Sequence, residues 1–341
     1  MDEAPTLASL AAPRGGAAGL GNGPAPGPTI AFVFPGQGSQ SVGMLDAWGD
    51  HPAVRRTLEE ASSALGEDVA RLIREGPKEA LALTSNTQPA MLAAGVAAWR
   101  AWQAETALVP AAVAGHSLGE YAALVAAGAL SLADAMPLVR FRAEAMQAAV
   151  PVGEGAMAAI LGLDAEAVRA GCAAAAEATG ESVQAANYND PKQTVIAGTK
   201  RAVDEACDRL KAAGAKRALP LAVSAPFHSA LMRPAAERLA PRLAEVALRT
   251  PEIPVVNNVD VAVETEPARI RDALVRQAWN AVRWAETMAA MKARGVTHVV
   301  ECGPGKVLAG LVARNDAGLV GASVFDPASL AATRALLETA P

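Results

Sequence analysis

Short apolar runs that end in glycine-rich turns alternate with helical stretches along most of this chain. The first run, residues 29–34, is closed by Pro35-Gly36-Gln37-Gly38-Ser39-Gln40, and the second, residues 111–114, leads into Gly115-His116-Ser117-Leu118-Gly119. Short continuous apolar runs are typical of strands buried on both faces. Strands that alternate with helices predict a parallel sheet covered by helices on both sides. Helices are predicted over residues 52–65, 88–104 (with Pro89 near the first turn), 120–128 and 131–149 (with Ser131 and Asp134 as a capping box).

Residues 153–224 follow a different order. Strand, helix, strand, strand, helix and strand are predicted over residues 156–161, 164–179, 182–187, 194–197, 201–213 and 217–223. This βαββαβ order is the ferredoxin-like unit. The α/β alternation then resumes, with a helix from about 230, a strand at 255–257, helices near 267–279 and 284–294, a strand at 297–302 and a final helix.

The predicted fold class is therefore α/β, with one subdomain inserted into another. Residues 29–152 and 225–341 form an α/β-hydrolase-like parallel-sheet subdomain, and residues 153–224 form a ferredoxin-like (βαββαβ) subdomain. We expect the insert to form one wall of a ligand-binding cleft. Residues 1–28 are rich in Gly, Pro and Ala, and we interpret them as a flexible extension.

Composition excludes several classes of protein. The 341 residues carry 30 Lys and Arg against 35 Asp and Glu, a net charge of −5, which does not suit a nucleic-acid-binding protein. The most apolar stretch, residues 108–130, is interrupted by Glu120 and by glycines, so no membrane span is expected. The start lacks the basic region of a signal peptide, and the three cysteines are far apart. We therefore expect a cytoplasmic enzyme.

The sequence contains neither a metal-binding pattern nor a complete phosphate-loop pattern. No His, Cys, Asp and Glu residues have metal-ligand spacing, so we predict no metal. Gly303-Pro304-Gly305-Lys306 resembles a phosphate loop only superficially, because Val300 and Val307 stand where Gly and Ser or Thr are needed.

The segment Gly115-His116-Ser117-Leu118-Gly119, here called the serine turn, has the pattern G-x-S-x-G between a predicted strand and a predicted helix. Glycines on both sides allow a turn so tight that the serine Oγ projects from the sheet, and the helix N-terminus offers N–H groups to an oxyanion. We interpret Ser117 as a candidate nucleophile; the alternative is a purely structural turn.

A serine nucleophile needs a base, and the chain has four histidines. His116 lies within the turn and its side chain should diverge from that of Ser117, while His51 and His298 fall in a surface helix and a strand. His228 follows the insert at a strand-to-helix junction, which places it at the cleft. It is the best candidate base, and a packed loop histidine remains the alternative.

The segment Pro35-Gly36-Gln37-Gly38-Ser39-Gln40, here called the glutamine turn, ends the first strand. Its small residues allow close approach to a ligand, and a backbone N–H from a second strand end would complete an oxyanion hole. Taken alone, it can equally be a simple strand exit.

Taken together, six motifs resemble the bacterial malonyl-CoA:acyl carrier protein transacylases of type II fatty-acid synthesis. The resemblance runs from about residue 29 to near the C-terminus. The motifs, in order, are Phe34-Pro35-Gly36-Gln37-Gly38-Ser39-Gln40, Thr87-Gln88-Pro89-Ala90, Gly115-His116-Ser117-Leu118-Gly119-Glu120-Tyr121, Ala225-Pro226-Phe227-His228, Val256-Asn257-Asn258 and Gly303-Pro304-Gly305-Lys306.

The resemblance implies a catalytic dyad. Ser117 would be the malonylated nucleophile and His228 its base, oriented by the backbone carbonyl of Gln277. The backbone N–H groups of Gln37 and Leu118 would form the oxyanion hole. Ala281 departs from the proline that is usual in the family, which leaves the turn beside the Gln277 carbonyl less constrained.

The resemblance also implies an acyl pocket, in which Gln88 would be one of the lining residues. Arg142, which the sequence alone would place on the surface, would pair in bidentate fashion with the malonyl carboxylate. Phe227 would limit branching at the malonyl α-carbon. The implied reaction moves malonyl from malonyl-CoA to the phosphopantetheine thiol of holo-acyl carrier protein through a malonyl-serine, with no cofactor.

Other functions share parts of this pattern. A discrete malonyl acyltransferase of a polyketide pathway would have the same dyad, and a serine thioesterase or esterase would have the same turn. A non-catalytic binding module would not need Ser117, His228 and Arg142 together. The expected partners are acyl carrier protein and coenzyme A, with no nucleic acid or membrane, and nothing requires more than a monomer. Cations near the cleft that could meet an acidic carrier are Lys192, Lys216 and Arg217.

Overall fold

The computed structural model of the protein describes residues 27–340. The extension predicted over residues 1–28 lies outside this part except for its last two residues. The strands are β1 (Ile30–Phe34), β2 (Ala112–Gly115), β3 (Gly155–Leu161), β4 (Val183–Asp190), β5 (Gln193–Thr199), β6 (Arg217–Pro220), β7 (Val255–Val256), β8 (His298–Cys302) and β9 (Val320–Val324). The helices are α1 (Pro52–Leu65), α2 (Val69–Glu75), α3 (Lys78–Ala82), α4 (Thr84–Glu105), α5 (Gly119–Ala126), α6 (Leu132–Ala148), α7 (Ala165–Thr179), α8 (Lys200–Ala212), α9 (Arg233–Glu245), α10 (Pro267–Gln277), α11 (Trp284–Ala293), α12 (Val307–Asn315) and α13 (Pro327–Thr339).

A parallel sheet forms the centre of the larger part. Its five strands lie in the order β7-β2-β1-β8-β9, and every neighbouring pair is parallel. Side chains of β1 alternate between two cores: Phe32 and Phe34 pack with α4, α5 and α6, whereas Ala31 and Val33 pack with α11 and α12. The prediction of a parallel sheet covered on both faces is therefore confirmed.

A separate antiparallel sheet is formed by the strands of the predicted insert. The chain order is β3-α7-β4-β5-α8-β6, and the sheet order is β4-β5-β3-β6 with antiparallel neighbours. Helices α7 and α8 cover one face. The other face carries Met157 and Val195, which line a cleft toward the parallel sheet. The cleft therefore lies between the two sheets, as expected.

Several sequence predictions in this framework are wrong in detail, and two of them change the extent or number of the elements. Helix α4 begins at Thr84, so Pro89 lies inside it; the extra turn forms because the Leu83 carbonyl accepts from the N–H groups of Asn86 and Thr87. The predicted final helix is instead α12, strand β9 and helix α13. Strand β9 is an edge strand with only one fully buried residue, so its apolar signal is weak.

No helix within residues 27–340 combines the length and apolar character that crossing a membrane requires.

Candidate active site

The serine turn joins the end of β2 to the start of α5. Ser117 has φ 54°, in the left-handed region. A Cβ atom on Gly115 would lie 1.8 Å from the carbonyl carbon of Gly119, and one on Gly119 would lie 2.0 Å from the Phe34 carbonyl oxygen. Only glycine fits at these two positions. This packing places Ser117 at the top of the parallel sheet, half-buried and facing the cleft.

Ser117 and His228 are brought together from 111 residues apart. The serine Oγ lies 2.6 Å from His228 Nε2, and His228 Nδ1 lies 3.0 Å from the Gln277 carbonyl oxygen and 3.1 Å from that of Asn280. Carbonyl oxygens only accept, so the proton of a neutral His228 is on Nδ1 and Nε2 faces the serine with its lone pair. The Gln277 carbonyl holds this position although Ala281 replaces the usual proline.

His228 also has a left-handed backbone, with φ 58°. Non-glycine residues in this region carry about 1–2 kcal/mol of strain each. The two residues of the Ser117–His228 pair are both strained in this way, and such strain concentrates at functional sites.

The electrostatic surroundings keep His228 neutral. Burial, together with the nearby Arg142 cation and His116, lowers the pKa of His228 to about 3. A neutral imidazole at neutral pH can accept the serine proton, as a general base must.

Arg142 lies beside the same serine. The expectation of a surface position from sequence alone is wrong: the residue is 1% exposed, because α6 packs between α4 and α9. Arg142 Nη2 donates to Ser117 Oγ at 3.2 Å and to Gln277 Oε1 at 3.0 Å, and Nη1 donates to Gln88 Oε1 at 2.7 Å. Burial lowers the pKa of Arg142.

The partners of Arg142 are all neutral. Besides these oxygens, the Tyr121 ring lies 5.5 Å from the guanidinium carbon. None of the carboxylates of residues 27–340 forms an ion pair with it. A buried cation without a carboxylate partner is costly, and an anionic ligand in the cleft would remove that cost.

The glutamine turn lies against the serine turn. A Cβ atom on Gly36 would lie 2.7 Å from the His116 carbonyl oxygen. Within residues 27–340, the backbone N–H groups of Gln37 and Leu118 donate to no protein acceptor. The Gln37 side chain accepts from Gln88 Nε2 at 3.1 Å, so the turn is connected to the partner of Arg142.

The cleft has a volume of about 490 Å³. Predicted site residues that line it are Gln37, Ser117, Arg142, Phe227 and His228. Gln88 and Gln277 are fully buried behind it and contact Arg142. Phe227 is half-buried and packs against the antiparallel sheet, so it narrows the cleft beside His228.

The other histidines have packing roles. His116 Nε2 lies 2.9 Å from Asn189 Oδ1, and its ring lies 5.4 Å from that of Trp284. His51 accepts from the Ala53 N–H at the start of α1, and His298 is buried in β8.

Sequence reasoning missed several site residues. Glu120 and Asn258 are buried next to the serine turn, and they stood in the sequence only as parts of motifs. The three cations considered for a carrier protein, Lys192, Lys216 and Arg217, are exposed but do not line the cleft. Arg314 does line it, from α12, which the prediction merged into one final helix.

The chain is similar to known acyl transferases. Residues 31–318 match the family model of the acyl transferase domain. The chain is 54% identical over 310 residues to the malonyl CoA-acyl carrier protein transacylase of Haemophilus influenzae, covering 90% of this chain and 99% of that protein.

Two solved structures are similarly close. An acyl-carrier-protein S-malonyltransferase from Burkholderia pseudomallei 1710b is 61% identical, with a TM-score of 0.88 over 91% of this chain and 99% of that one. A malonyl transacylase in complex with a type II polyketide synthase acyl carrier protein is 51% identical, with a TM-score of 0.87 over 89% and 98%. The chain therefore belongs to the malonyl-CoA:acyl carrier protein transacylase family of acyl transferases.

Proposed function

We propose that this enzyme transfers the malonyl group from malonyl-CoA to the phosphopantetheine thiol of acyl carrier protein through a malonyl ester of Ser117. The observation that carries the proposal is that Ser117 Oγ lies within hydrogen-bonding distance of both His228 Nε2 and Arg142 Nη2 in the cleft. A nucleophile, a base and a carboxylate receptor are thereby adjacent.

In the first half-reaction, His228 Nε2 takes the proton of Ser117 while Oγ bonds to the thioester carbon of malonyl-CoA. The oxyanion that forms accepts from the N–H groups of Gln37 and Leu118, which donate to no acceptor in the described residues 27–340. The carbon–sulfur bond then breaks, and the coenzyme A sulfur takes the proton from His228. The enzyme is left as the malonyl ester.

In the second half-reaction, the carrier thiol gives its proton to His228 and its sulfur attacks the ester carbon. The same N–H groups stabilise the oxyanion, the bond to Oγ breaks, and Ser117 recovers its proton. The Gln277 and Asn280 carbonyls keep the imidazole oriented in both halves. These steps use side chains and backbone amides of this chain and need no cofactor.

Arg142 selects the acyl group in this proposal. Its guanidinium is buried, and its hydrogen-bonding partners are neutral oxygens of Gln88, Gln277 and Ser117. A malonyl carboxylate provides the missing negative charge in bidentate geometry, whereas an acetyl group leaves the cation unpaired. Phe227 narrows the space beside His228 and disfavours a branched α-carbon.

We also propose the finer division of the fold. Residues 29–152 and 225–341 would be the α/β-hydrolase-like subdomain, and residues 153–224 the ferredoxin-like one. Support comes from the fully parallel order β7-β2-β1-β8-β9 and from the antiparallel order β4-β5-β3-β6 of a βαββαβ segment.

The carrier is proposed to be that of fatty-acid elongation. A polyketide carrier is the second candidate, favoured by the 51% identical transacylase in complex with such a carrier. The ratio of kcat/KM for the two carrier proteins decides between them. A monomer in the cytoplasm is the proposed state, because every residue in the mechanism comes from one chain and its three cysteines are free.

Mass spectrometry after mixing with malonyl-CoA tests the function. We expect an adduct of one malonyl group on Ser117 that persists in buffer and disappears when holo-acyl carrier protein is added, with malonyl appearing on the carrier. An adduct that water removes as fast as the carrier does would indicate a thioesterase, and no adduct on Ser117 would refute the proposal.

A further inference from the structure

A buried carboxylate lies directly behind the serine turn. Glu120, in the first turn of α5, is 2% exposed, and its side chain is absent from the lining of the cleft. The mechanism above does not use it. Its Oε2 accepts from Gln277 Nε2 at 3.0 Å and from the Asn258 backbone N–H at 2.9 Å.

Asn258 connects this carboxylate to the backbone of the serine turn. Its Oδ1 accepts from the Ser117 N–H at 2.7 Å, and its Nδ2 donates to the Gly115 carbonyl at 2.7 Å. Asn258 therefore bridges the Gly115 carbonyl and the Ser117 N–H, on the N-terminal side of the serine turn. These bonds hold the left-handed backbone of Ser117, whose φ is otherwise unfavourable.

Gln277 connects the same carboxylate to the other site residues. Its Nε2 donates to Glu120 and to the Ser117 carbonyl at 2.9 Å, its Oε1 accepts from Arg142, and its backbone carbonyl accepts from His228. An amide side chain can rotate to exchange its oxygen and nitrogen, which would turn a donor toward Arg142. Glu120 and the Ser117 carbonyl are both acceptors for Nε2, so together they disfavour the flipped orientation, and Glu120 is the side chain of the two.

We propose that Glu120 is the positioning residue of this active site: its carboxylate oxygen fixes Asn258 and Gln277, and through them the orientation of Ser117, His228 and Arg142. Glu120 acts through other groups and does not touch the substrate. Burial raises the pKa of Glu120 to about 7, so ionising this buried carboxyl group is costly.

Three variants test the proposal. Glu120→Ala removes the acceptor, Glu120→Gln keeps an acceptor oxygen of similar reach, and Leu124→Ala removes a buried side chain one turn further along α5 without touching the hydrogen bonds. Two readouts are compared at equal folded fraction. The rate of Ser117 modification by a fluorophosphonate reports on the Ser117–His228 pair, and the ratio of kcat/KM for malonyl-CoA and acetyl-CoA reports on Arg142.

We expect Glu120→Ala to lower the fluorophosphonate rate and the malonyl-to-acetyl ratio by about 10- to 100-fold, since a misplacement of about 1 Å can cost about 100-fold. Glu120→Gln should stay within about 3-fold of the wild type, because its amide oxygen can accept both bonds. Leu124→Ala should leave both readouts unchanged.

The proposal would be overturned if Glu120→Ala kept wild-type readouts or lost no more than Leu124→Ala. It would also be overturned if Glu120→Gln and Glu120→Ala lost equally. The malonyl readout rests on the proposed function. A wild-type enzyme that gains no malonyl adduct refutes that function, whereas an active wild type with unaffected Glu120 variants refutes only this inference.

Discussion

The two sheets of this protein have interiors of opposite character. The core between the antiparallel sheet and helices α7 and α8 is built mainly of apolar side chains and two cysteines. The region behind Ser117 in the parallel-sheet part buries Glu120, Arg142, His228 and Gln277. Charged groups of α8 instead form pairs at the surface, such as Arg209 with Glu205.

The comparison shows that one region mainly stabilises the fold and that the other holds the residues that perform the chemistry. Apolar burial stabilises in proportion to area, and the antiparallel part relies mainly on it on its helical side. Buried ionisable groups cost desolvation, and the parallel-sheet part gathers several of them where the serine turn, α6 and α10 meet. Substitutions in the two regions should therefore have different consequences.

The largest effect is expected for Ser117→Ala. Without the nucleophile the acyl-enzyme cannot form, so kcat for malonyl transfer should fall at least about 1,000-fold. The matched control is Ser182→Ala in the antiparallel part, which should transfer malonyl at the wild-type rate. Steady-state malonyl transfer to holo-acyl carrier protein measures the activity of both variants. A Ser117→Ala variant that keeps most of its activity would refute the assignment of the chemistry to the region behind Ser117.

Arg142→Ala should have the next largest effect. Loss of the carboxylate receptor should lower kcat/KM for malonyl-CoA about 100-fold or more, while acetyl-CoA holds or improves because no buried cation is left unpaired. Arg142→Lys keeps the charge but not the bidentate fork, so its kcat/KM for malonyl-CoA should lie between those of the wild type and Arg142→Ala. Arg209→Ala on α8 is the control and should keep the wild-type ratio of kcat/KM for malonyl-CoA and acetyl-CoA. An unchanged ratio in Arg142→Ala would show that Arg142 is not the carboxylate receptor.

Ile160→Ala tests the antiparallel core. Ile160 in β3 is fully buried among the apolar residues facing α7 and α8. Its truncation should lower the free energy of unfolding by about 2–5 kcal/mol and leave kcat/KM per folded molecule unchanged. Urea unfolding and active-site titration measure the two quantities. Activity lost at an equal folded fraction would mean that the two regions are not separable in this way.

The pH dependence of stability should show the smallest effect. Glu120 has a pKa raised from 4.5 to about 7 in the folded state, so between these values the folded protein holds the extra proton and stability falls as pH rises. His228 has a pKa lowered from 6.5 to about 3, so between those values the unfolded chain holds the extra proton and stability rises with pH.

The two contributions oppose each other where the ranges overlap, between pH 4.5 and 6.5. Glu120→Gln should make the slope of unfolding free energy against pH more positive by up to about 1.4 kcal/mol per unit, and His228→Ala should make it more negative by as much. Ile160→Ala should shift the curve without changing its slope. Slopes that do not separate in this direction would contradict the assignment of both groups.

Much of the framework could be predicted from the sequence because it depends on local patterns. Apolar runs and glycine turns predicted β1 and β2 with the serine turn, and the order of elements in residues 153–224 is as predicted. Strand β9 could not be predicted, since an edge strand with one fully buried residue leaves no continuous apolar run. The start of α4 was placed too late because Pro89 resembles a first-turn proline.

Some residues of the active site could likewise be predicted from local patterns, and others could not. Ser117 was recognisable from its spacing to two glycines, and His228 from its place after the insert. The burial of Arg142 was not recognisable from residues alone, because α6 is covered on several sides by helices far away in the chain. Glu120 and Asn258, 138 residues apart, had no signal of their own.

The sequence by itself determined the strand–turn–helix that exposes Ser117, because glycines at 115 and 119 are the only residues whose Cβ-free backbones fit that turn. It also determined which residue types were available for the chemistry. Only the tertiary structure decided that a serine, a histidine, an arginine and a buried carboxylate would share one hydrogen-bond network, since that depends on packing between elements more than a hundred residues apart.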